Sequence, residues 1–364
     1  MPYRGAITIS AIQTGDDRRT VVKKDAAAPM MPTDETLEDL GWDDHFSAQL
    51  SDEDLRDRHP VRVMSVHRGQ IAVAGAGGRQ LVTPYIAGAQ PTDDHPTVGD
   101  WVLIETSTGL PIRVLHRKNL FKRRAPGDPR REQMIAANVD TVFLVASCNE
   151  DFSVARLERY LVLAHDVGVT PVVVLTKADL TDTPDVYVAA ARAIEPGLRV
   201  EIVNGRDPHA VTGLADWCGP GQTVAFLGSS GVGKSTLVNS LRGSDSIATQ
   251  AIRANDSTGR HTTTVREMHR LAQGGWLLDT PGMRELQLAD AATGIAEIFD
   301  DFVAAAEECR FSNCSHSVEP GCAVQAGIAA GHLTRARFDR WQRLGAEERA
   351  NTAKQTKRRS PKGA

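Results

Sequence analysis

The middle of the chain alternates long apolar runs with segments of helical spacing. The runs "VDTVFLVASCN" (139–149), "VTPVVVLTK" (169–177) and "QTVAFLG" (222–228) each predict a strand that is buried on both faces. Between the first two runs, apolar residues recur at helical spacing and Gly168 supplies a stop. A helix near 184–194 and strands in "RVEIVNG", "HTTTVREMHRL" and "GGWLLDTPG" continue the pattern. Strands that alternate with helices predict a parallel α/β sheet.

The flanking segments follow other patterns. Residues 60–118 consist of short β-rich runs broken by Gly, Asp and Pro, and about sixty residues of this kind fit a five-stranded OB-type barrel. Upstream of them, four apolar residues can form a small helical face: Leu37, Leu40, Trp42 and Phe46. The chain after residue 290 is predicted to be mainly helical.

Composition narrows the class of protein. The 364 residues are 41% hydrophobic and 24% charged, which is the profile of a globular protein. No apolar run reaches the ~20 residues of a membrane helix, and the N-terminus has no apolar block typical of a secretory signal. The five cysteines are an odd number, and three of them are clustered, which favours metal binding in a reducing compartment over disulfides. We therefore expect a cytoplasmic protein with no membrane partner.

Charge is spread unevenly around the net value of −4. Residues 34–54 carry nine acids and no Lys or Arg, whereas 113–131 carries eight basic residues against one acid. The last eleven residues add five basic residues. Both basic segments can bind nucleic-acid phosphates. We favour phosphate binding for 113–131. For the tail, a solvated, disordered segment is an equal alternative.

The strongest motif follows the run 222–228. It fits the phosphate-loop pattern G-x-x-x-x-G-K-[ST], and it consists of Gly228, Ser229, Ser230, Gly231, Val232, Gly233, Lys234 and Ser235, with Thr236 next. Its backbone N–H groups can bind phosphate oxygens, Lys234 can neutralise the β- and γ-phosphates, and Ser235 can ligate Mg²⁺. The strand before it and the helix after it favour this interpretation over a plain glycine-rich turn.

A second part of a phosphate site lies downstream, in "WLLDTPGM". Asp279 ends an apolar strand, where it can hold magnesium through a water, and Gly282 can offer its N–H to the γ-phosphate. In the polar segment before it, one threonine of 262–264 can complete the Mg²⁺ shell, and we select Thr263. The alternative is an ordinary loop whose threonines cap a strand.

The segment "TKAD", which is Thr176, Lys177, Ala178 and Asp179, resembles the N/T-K-x-D motif of GTPases. The Asp179 carboxylate can accept hydrogen bonds from guanine N1 and N2, a donor pair that adenine lacks, and the stem of Lys177 can pack on the base. Thr176 stands where Asn is commoner, which is expected to loosen the loop contacts. This motif precedes the phosphate loop, whereas ordinary GTPases have the reverse order. A circular permutation explains the order, since a nucleotide site needs these strand ends close in space only.

The clustered cysteines lie in "ECRFSNCSHSVEPGC". The potential ligands are Cys309, Cys314, His316 and Cys322. Three thiolates and one imidazole suit one tetrahedral Zn²⁺ in a closed, structural site. Cys148 and Cys218 have no ligand partners nearby in sequence and are predicted to be buried small residues.

Taken in order, TKAD, GSSGVGKST, GRHTTT and DTPG resemble the ribosome small-subunit-dependent GTPase A family. "LGWDDHF", "VGDWV", "FKRRAPG", "QMIAANVD" and the cysteine cluster support the resemblance, which covers about 35–340. It implies an OB barrel, a permuted GTPase domain, a zinc domain and GTP hydrolysis stimulated by the small ribosomal subunit and its rRNA. Met283 follows DTPG, where many GTPases have a water-orienting Gln, and His261 is similar to a family histidine expected to take that role. The alternative for His261 is a surface histidine.

The predicted architecture is therefore a multi-domain α/β protein, expected to be a monomer. Its parts are a partly disordered leader (1–56), an OB-fold β-barrel (57–118), a circularly permuted P-loop GTPase domain (119–290), an α-helical zinc-binding domain (291–350) and a basic disordered tail (351–364). The predicted function is a GTPase that assists late maturation of the small ribosomal subunit, with His261, Lys234 and Gly282 as catalytic residues. Two alternatives stay open: a P-loop ATPase of another pathway, and a nucleotide-gated RNA-binding scaffold with little catalysis.

Overall fold

The computed structural model describes residues 34–67, 69–86, 95–125, 128–204, 210–243, 266–279 and 291–359. Apolar side chains in these ranges form three clusters, one on each face of a central sheet and a third among the N-terminal strands. Among the described residues, no helix is both long and apolar enough to cross a membrane.

The N-terminal part consists of two short helices and five strands. The helices are α1 (Asp44–Ser47) and α2 (Asp52–Asp57), and the strands are β1 (Arg58–His67), β2 (Gln70–Gly75), β3 (Gly78–Val82), β4 (Trp101–Glu105) and β5 (Pro111–Val114). All their pairings are antiparallel: β1 with β2 and β4, β2 with β3, and β4 with β5. The described residues contain no ladder between β3 and β5, so the five strands are present and barrel closure stays a prediction.

Residues 34–57 pack against these strands. Leu40 and Phe46 are almost completely buried, and the ring of Trp42 meets Trp101 edge-on with centroids 4.8 Å apart. Ser51 and Asp54 form a reciprocal capping box that begins α2. Within the leader predicted for 1–56, residues 34–56 are ordered, and Leu40 and Phe46 of the predicted apolar face are buried in the core.

The central sheet is built from the predicted parallel strands. They are β8 (Thr141–Ser147), β9 (Thr170–Thr176), β10 (Arg199–Val203), β11 (Thr223–Gly228), β12 (Arg266–Arg270) and β13 (Trp276–Asp279). Their spatial order is β10-β9-β8-β11-β13-β12, and only β12 runs antiparallel to its neighbour in this set. Because β8, β9 and β11 are parallel, the segments that follow β9 and β11 leave the same edge of the sheet, one strand apart.

Three helices accompany these strands. They are α3 (Val154–Val167), α4 (Pro184–Arg192) and α5 (Lys234–Arg242). Helix α3 begins after Ser153, whose side chain accepts a hydrogen bond from the N–H of Arg156, and ends at Gly168 with φ of 74°. A left-handed residue at this position favours glycine, so the predicted stop is confirmed.

A separate two-stranded hairpin follows β5 and precedes β8 in the sequence. It pairs β6 (Leu120–Ala125) with β7 (Asp128–Ala137). In addition, β1 pairs with β12 through Ser65 with Glu267 and Val66 with Arg266, so the N-terminal strands and the central sheet form one continuous sheet.

The C-terminal part is helical, as predicted. It consists of α6 (Ala292–Ile298), α7 (Asp300–Glu307), α8 (Ala323–Ala329) and α9 (Arg335–Arg359). Gly294 lets α6 approach α3 closely, since an added Cβ would lie 2.2 Å from the Val162 carbonyl oxygen. The predicted disordered tail (351–364) is wrong for residues 351–359, which continue α9 because no proline interrupts this helix-forming sequence before Pro361.

Helix α9 is fixed to α3 by a buried carboxylate. Glu158 is fully buried and receives the guanidinium of Arg340, with Nη2 2.9 Å from Oε1. Arg337 lies 3.6 Å from the same carboxylate and also donates to the Ile194 carbonyl. Arg337 and Arg340 therefore hold helices together.

Candidate functional site

The phosphate-loop residues form the turn between β11 and α5. Gly228 has φ of 155°, and a Cβ there would lie 2.6 Å from the Val145 carbonyl oxygen, so the loop passes too close to β8 for any side chain. Gly233 has φ of 98° and stands at the N-terminus of α5, which has no side-chain cap. The first N–H groups of α5 are thereby left for phosphate oxygens.

The side chain of Lys234 lies inside the phosphate loop and contacts carbonyl groups at the start of that loop. Its side chain is largely buried, and its ammonium donates to the Gly228 carbonyl at 2.7 Å and to the Ser229 carbonyl. The flexible stem of a lysine can carry this charge from carbonyl oxygens to the phosphates of a bound nucleotide. The predicted phosphate-binding residues therefore stand together at one strand end.

The predicted guanine-reading residues lie beside this loop. Lys177 adopts a left-handed conformation with φ of 57°, and the short 3₁₀ helix Ala178–Leu180 follows it. A cleft of about 190 Å³ joins the two segments. Its lining residues are Thr176, Lys177, Asp179, Leu180, Asn204, Gly231, Gly233 and Thr236. Motifs that are about fifty residues apart in sequence thus line one cleft.

Thr176 connects the two halves of the cleft directly. Its side chain is 2% exposed, and its hydroxyl oxygen lies 2.5 Å from the carbonyl oxygen of Val232 in the phosphate loop. The same oxygen is 3.2 Å from the Ala146 carbonyl. The sequence suggested that threonine would loosen the loop contacts, whereas its hydroxyl makes the contact that holds the base-reading segment against the loop.

The other predicted site residues are only partly visible. Asp279 ends β13 and its backbone pairs with Glu267, one residue beyond the Ala225–Leu278 pair that joins β13 to the phosphate-loop strand. His261, Thr263 and Gly282 lie outside the described residues. Their roles stay predictions.

Two cleft residues extend the sequence prediction. Leu180 is 66% exposed at the cleft, and it could have been selected because it directly follows Asp179. Asn204, directly after the end of β10, also lines the cleft. Their positions make them candidates for contact with the base.

The predicted metal ligands form a second, separate cluster. The ligand atoms of Cys309, Cys314, His316 and Cys322 all lie within 4.8 Å of one another. The Cys309 and Cys322 sulfurs are 3.9 Å apart, and His316 Nδ1 is 3.5 Å and 3.6 Å from them. A tetrahedral ion about 2.3 Å from sulfur and about 2.0–2.1 Å from nitrogen requires edges of this length, whereas a disulfide requires about 2.05 Å. The four side chains could therefore hold one metal ion.

The remaining cysteines have no such role. Cys148 and Cys218 are both buried, as predicted. Burial raises the pKa of the Cys148 thiol, and raises the pKa of Cys218 to about 12. Both are therefore neutral packing residues at physiological pH.

The phosphate loop and the base-reading segment lie at one edge of a parallel sheet, and the base-reading segment comes first in the chain. This arrangement defines a circularly permuted P-loop GTPase. Residues 114–289 match the family model described as RsgA GTPase. The chain belongs to this family, and it is a GTP-hydrolysing enzyme, which removes the alternative of a P-loop ATPase.

Relatives of known name cover nearly the whole chain. The small ribosomal subunit biogenesis GTPase RsgA of Mesorhizobium japonicum is 47% identical, over 90% of this chain and 94% of its own. The small ribosomal subunit biogenesis GTPase RsgA 2 of Vibrio parahaemolyticus is 46% identical, over 89% of each.

Two solved structures share the fold. YjeQ from Thermotoga maritima matches with a TM-score of 0.58 and 26% identity, over 80% of this chain and 98% of its own. YloQ, described as a circularly permuted GTPase, matches with a TM-score of 0.56 and 25% identity, over 82% and 97%. The chain therefore shares its fold with a solved structure that is described as a circularly permuted GTPase.

Proposed function

We propose that this chain is a GTPase that binds the small ribosomal subunit, assists its late maturation and is stimulated by it. The observation that carries the proposal is the shared cleft of Thr176, Asp179 and the phosphate loop in a chain related to small-subunit biogenesis GTPases. GTP, GDP and the subunit with its rRNA are the proposed partners, and the protein acts as a monomer in the cytoplasm.

The roles within the cleft follow from chemistry. Asp179 accepts from guanine N1 and N2, Lys177 packs on the base, and Lys234 with the loop N–H groups binds the β- and γ-phosphates. Ser235, Thr263 and Asp279 would hold Mg²⁺, which supplies charge neutralisation at the phosphates. His261 orients the attacking water and Gly282 donates its N–H to the γ-phosphate.

The predicted barrel and the cysteine cluster supply contacts with RNA in this proposal. The strands β1 to β5 give an OB-type surface, and the basic segment 113–131 lies between it and the GTPase sheet. Cys309, Cys314, His316 and Cys322 hold structural Zn²⁺, which joins the segment 309–322 into one ordered unit.

Multiple-turnover GTP hydrolysis with purified small subunits tests the proposal, with large subunits as the matched control. Small subunits are expected to raise turnover about tenfold or more, which is about 1.4 kcal/mol in the barrier. Equal stimulation by both subunits, or by neither, would contradict it.

A scaffold with little catalysis is the second candidate. The observation in its favour is Met283, since a thioether cannot orient water where many GTPases have Gln. Single-turnover hydrolysis separates the two candidates: a scaffold retains GTP on the small subunit, whereas the proposed enzyme hydrolyses it at a rate that a His261→Ala change reduces.

A further inference from the structure

Strand β12 lies where three parts of the molecule meet. On one side it pairs with β13, with Glu267 opposite Asp279. On the other side it pairs with β1 of the N-terminal strands, with Arg266 opposite Val66. A displacement of β12 therefore reaches the backbone of Asp279, which is expected to help hold magnesium.

Arg266 adds a third connection, to the β6–β7 hairpin. Its Nη1 donates to the backbone carbonyl of Met134 at 2.6 Å, and Met134 pairs with Lys122 on the other hairpin strand. The contact joins residues 132 positions apart, so nothing local in the sequence requires it. Burial lowers the pKa of Arg266, and the nearby charge of Arg123 lowers it further.

Strand β6 and the first residues of β7 lie within the basic segment 113–131, and Met134 follows that segment on β7. A guanidinium that is partly withdrawn from water depends on its hydrogen-bond acceptor, because a lost acceptor leaves the donor unsatisfied. A shift of the β7 backbone at Met134 would therefore break this hydrogen bond or displace β12 with it.

We propose that Arg266 is a positioning residue that couples the β6–β7 hairpin to the strand pair ending at Asp279, so that rRNA engaged by the hairpin promotes GTP hydrolysis. The inference rests on the proposed function, since it assumes that the small subunit stimulates turnover. Arg266 does not line the nucleotide cleft, so its role is distinct from binding GTP.

The test is GTP hydrolysis by Arg266→Met, which keeps an apolar stem and removes the donors. Intrinsic hydrolysis and GDP affinity are expected to stay within about twofold of wild type. Subunit-stimulated kcat should fall about tenfold, while the subunit concentration for half-maximal stimulation changes little. Arg266→Lys, which retains one charged donor group, should recover part of the loss.

Arg270→Met is the matched control, because it removes an exposed cation from the same strand, one that pairs with Glu35 and not with the hairpin, and it should keep stimulation. Unchanged stimulated kcat in Arg266→Met would overturn the proposal. An equal fall in intrinsic and stimulated rates would also overturn it, since that indicates a structural role. If Arg266→Met does not fold, Arg266→Lys tests the proposal instead, through its intrinsic and its subunit-stimulated hydrolysis rates. Absence of stimulation in wild type would instead refute the proposed function.

Discussion

The hydroxyl of Thr176 gives the sharpest test of how the two halves of the cleft are held together. Changing Thr176 to Val keeps the branched shape and removes the hydroxyl, which leaves the Val232 carbonyl, 2.5 Å away, without this partner. Because the side chain is 2% exposed, water cannot easily replace the lost donor. Segment 177–179 and the phosphate loop would then no longer be held at a fixed separation.

The size of the effect follows from the lost hydrogen bond. Leaving a buried acceptor unsatisfied costs about 1–3 kcal/mol. A nucleotide must contact base reader and phosphate loop together, so this cost is expected to appear in binding. At about 1.4 kcal/mol per factor of ten, affinity for both GTP and GDP should fall roughly 5- to 150-fold.

Titration of Thr176→Val with fluorescent GDP measures the loss, with thermal unfolding as the check on global stability. Thr176→Ser is the matched control, since it retains the hydroxyl, and it should bind within a few-fold of wild type. Thr176→Asn also supplies a donor and should bind. Wild-type GDP affinity in Thr176→Val would refute the reasoning.

Three further outcomes are expected. Glu158→Ala should destabilise the protein by about 1–3 kcal/mol, because it leaves the half-buried guanidinium of Arg340 without its carboxylate. A second change, Arg340→Met, should restore part of the loss. Thermal unfolding of wild type, both single variants and the double variant measures the coupling, and additive losses would refute the pair. The hydrogen bond from His165 to Glu195 at 3.0 Å raises the pKa of His165 against the opposing effect of burial, so its stabilisation is complete below the unfolded value near 6.5 and is lost as pH rises through the folded pKa. The difference in thermal stability between wild type and His165→Gln should therefore shrink from pH 6 towards alkaline pH, and a difference that grows would contradict this. Metal analysis should find one zinc per chain, and chelation should unfold the C-terminal helices in circular dichroism while leaving GDP binding; a chain without zinc would contradict the site.

Strands β8, β9 and β11 were predictable because they are buried on both faces over most of their length and so have a continuous apolar sequence. The ends of α3 were predictable too, since Ser153 and Gly168 act through local hydrogen bonds. The phosphate loop could be identified for the same reason, because its conformation depends on its own glycines.

Contacts between distant residues were not predictable. Nothing in sequence indicates that Thr176 meets Val232, or that Arg266 reaches Met134, because each contact depends on the order of strands. Arg337 and Arg340 have the composition of an exposed basic face, and only the packing of α9 on α3 directs them to Glu158. The packing of Trp42 and Phe46 depends in the same way on Trp101 of β4.

The central claim is that a circularly permuted chain brings its strand ends together to bind guanine. Competition binding of GTP, ATP and XTP to wild type and to Asp179→Asn tests this claim. Wild type should prefer GTP over ATP by about a hundredfold or more, since each buried group left unpaired costs about 1–3 kcal/mol. Asp179→Asn should lose GTP and gain XTP, because xanthine has a carbonyl where guanine has its amino group, and an amide can donate to it. Equal affinity of wild type for GTP and ATP, or unchanged GTP binding by Asp179→Asn, would contradict the account.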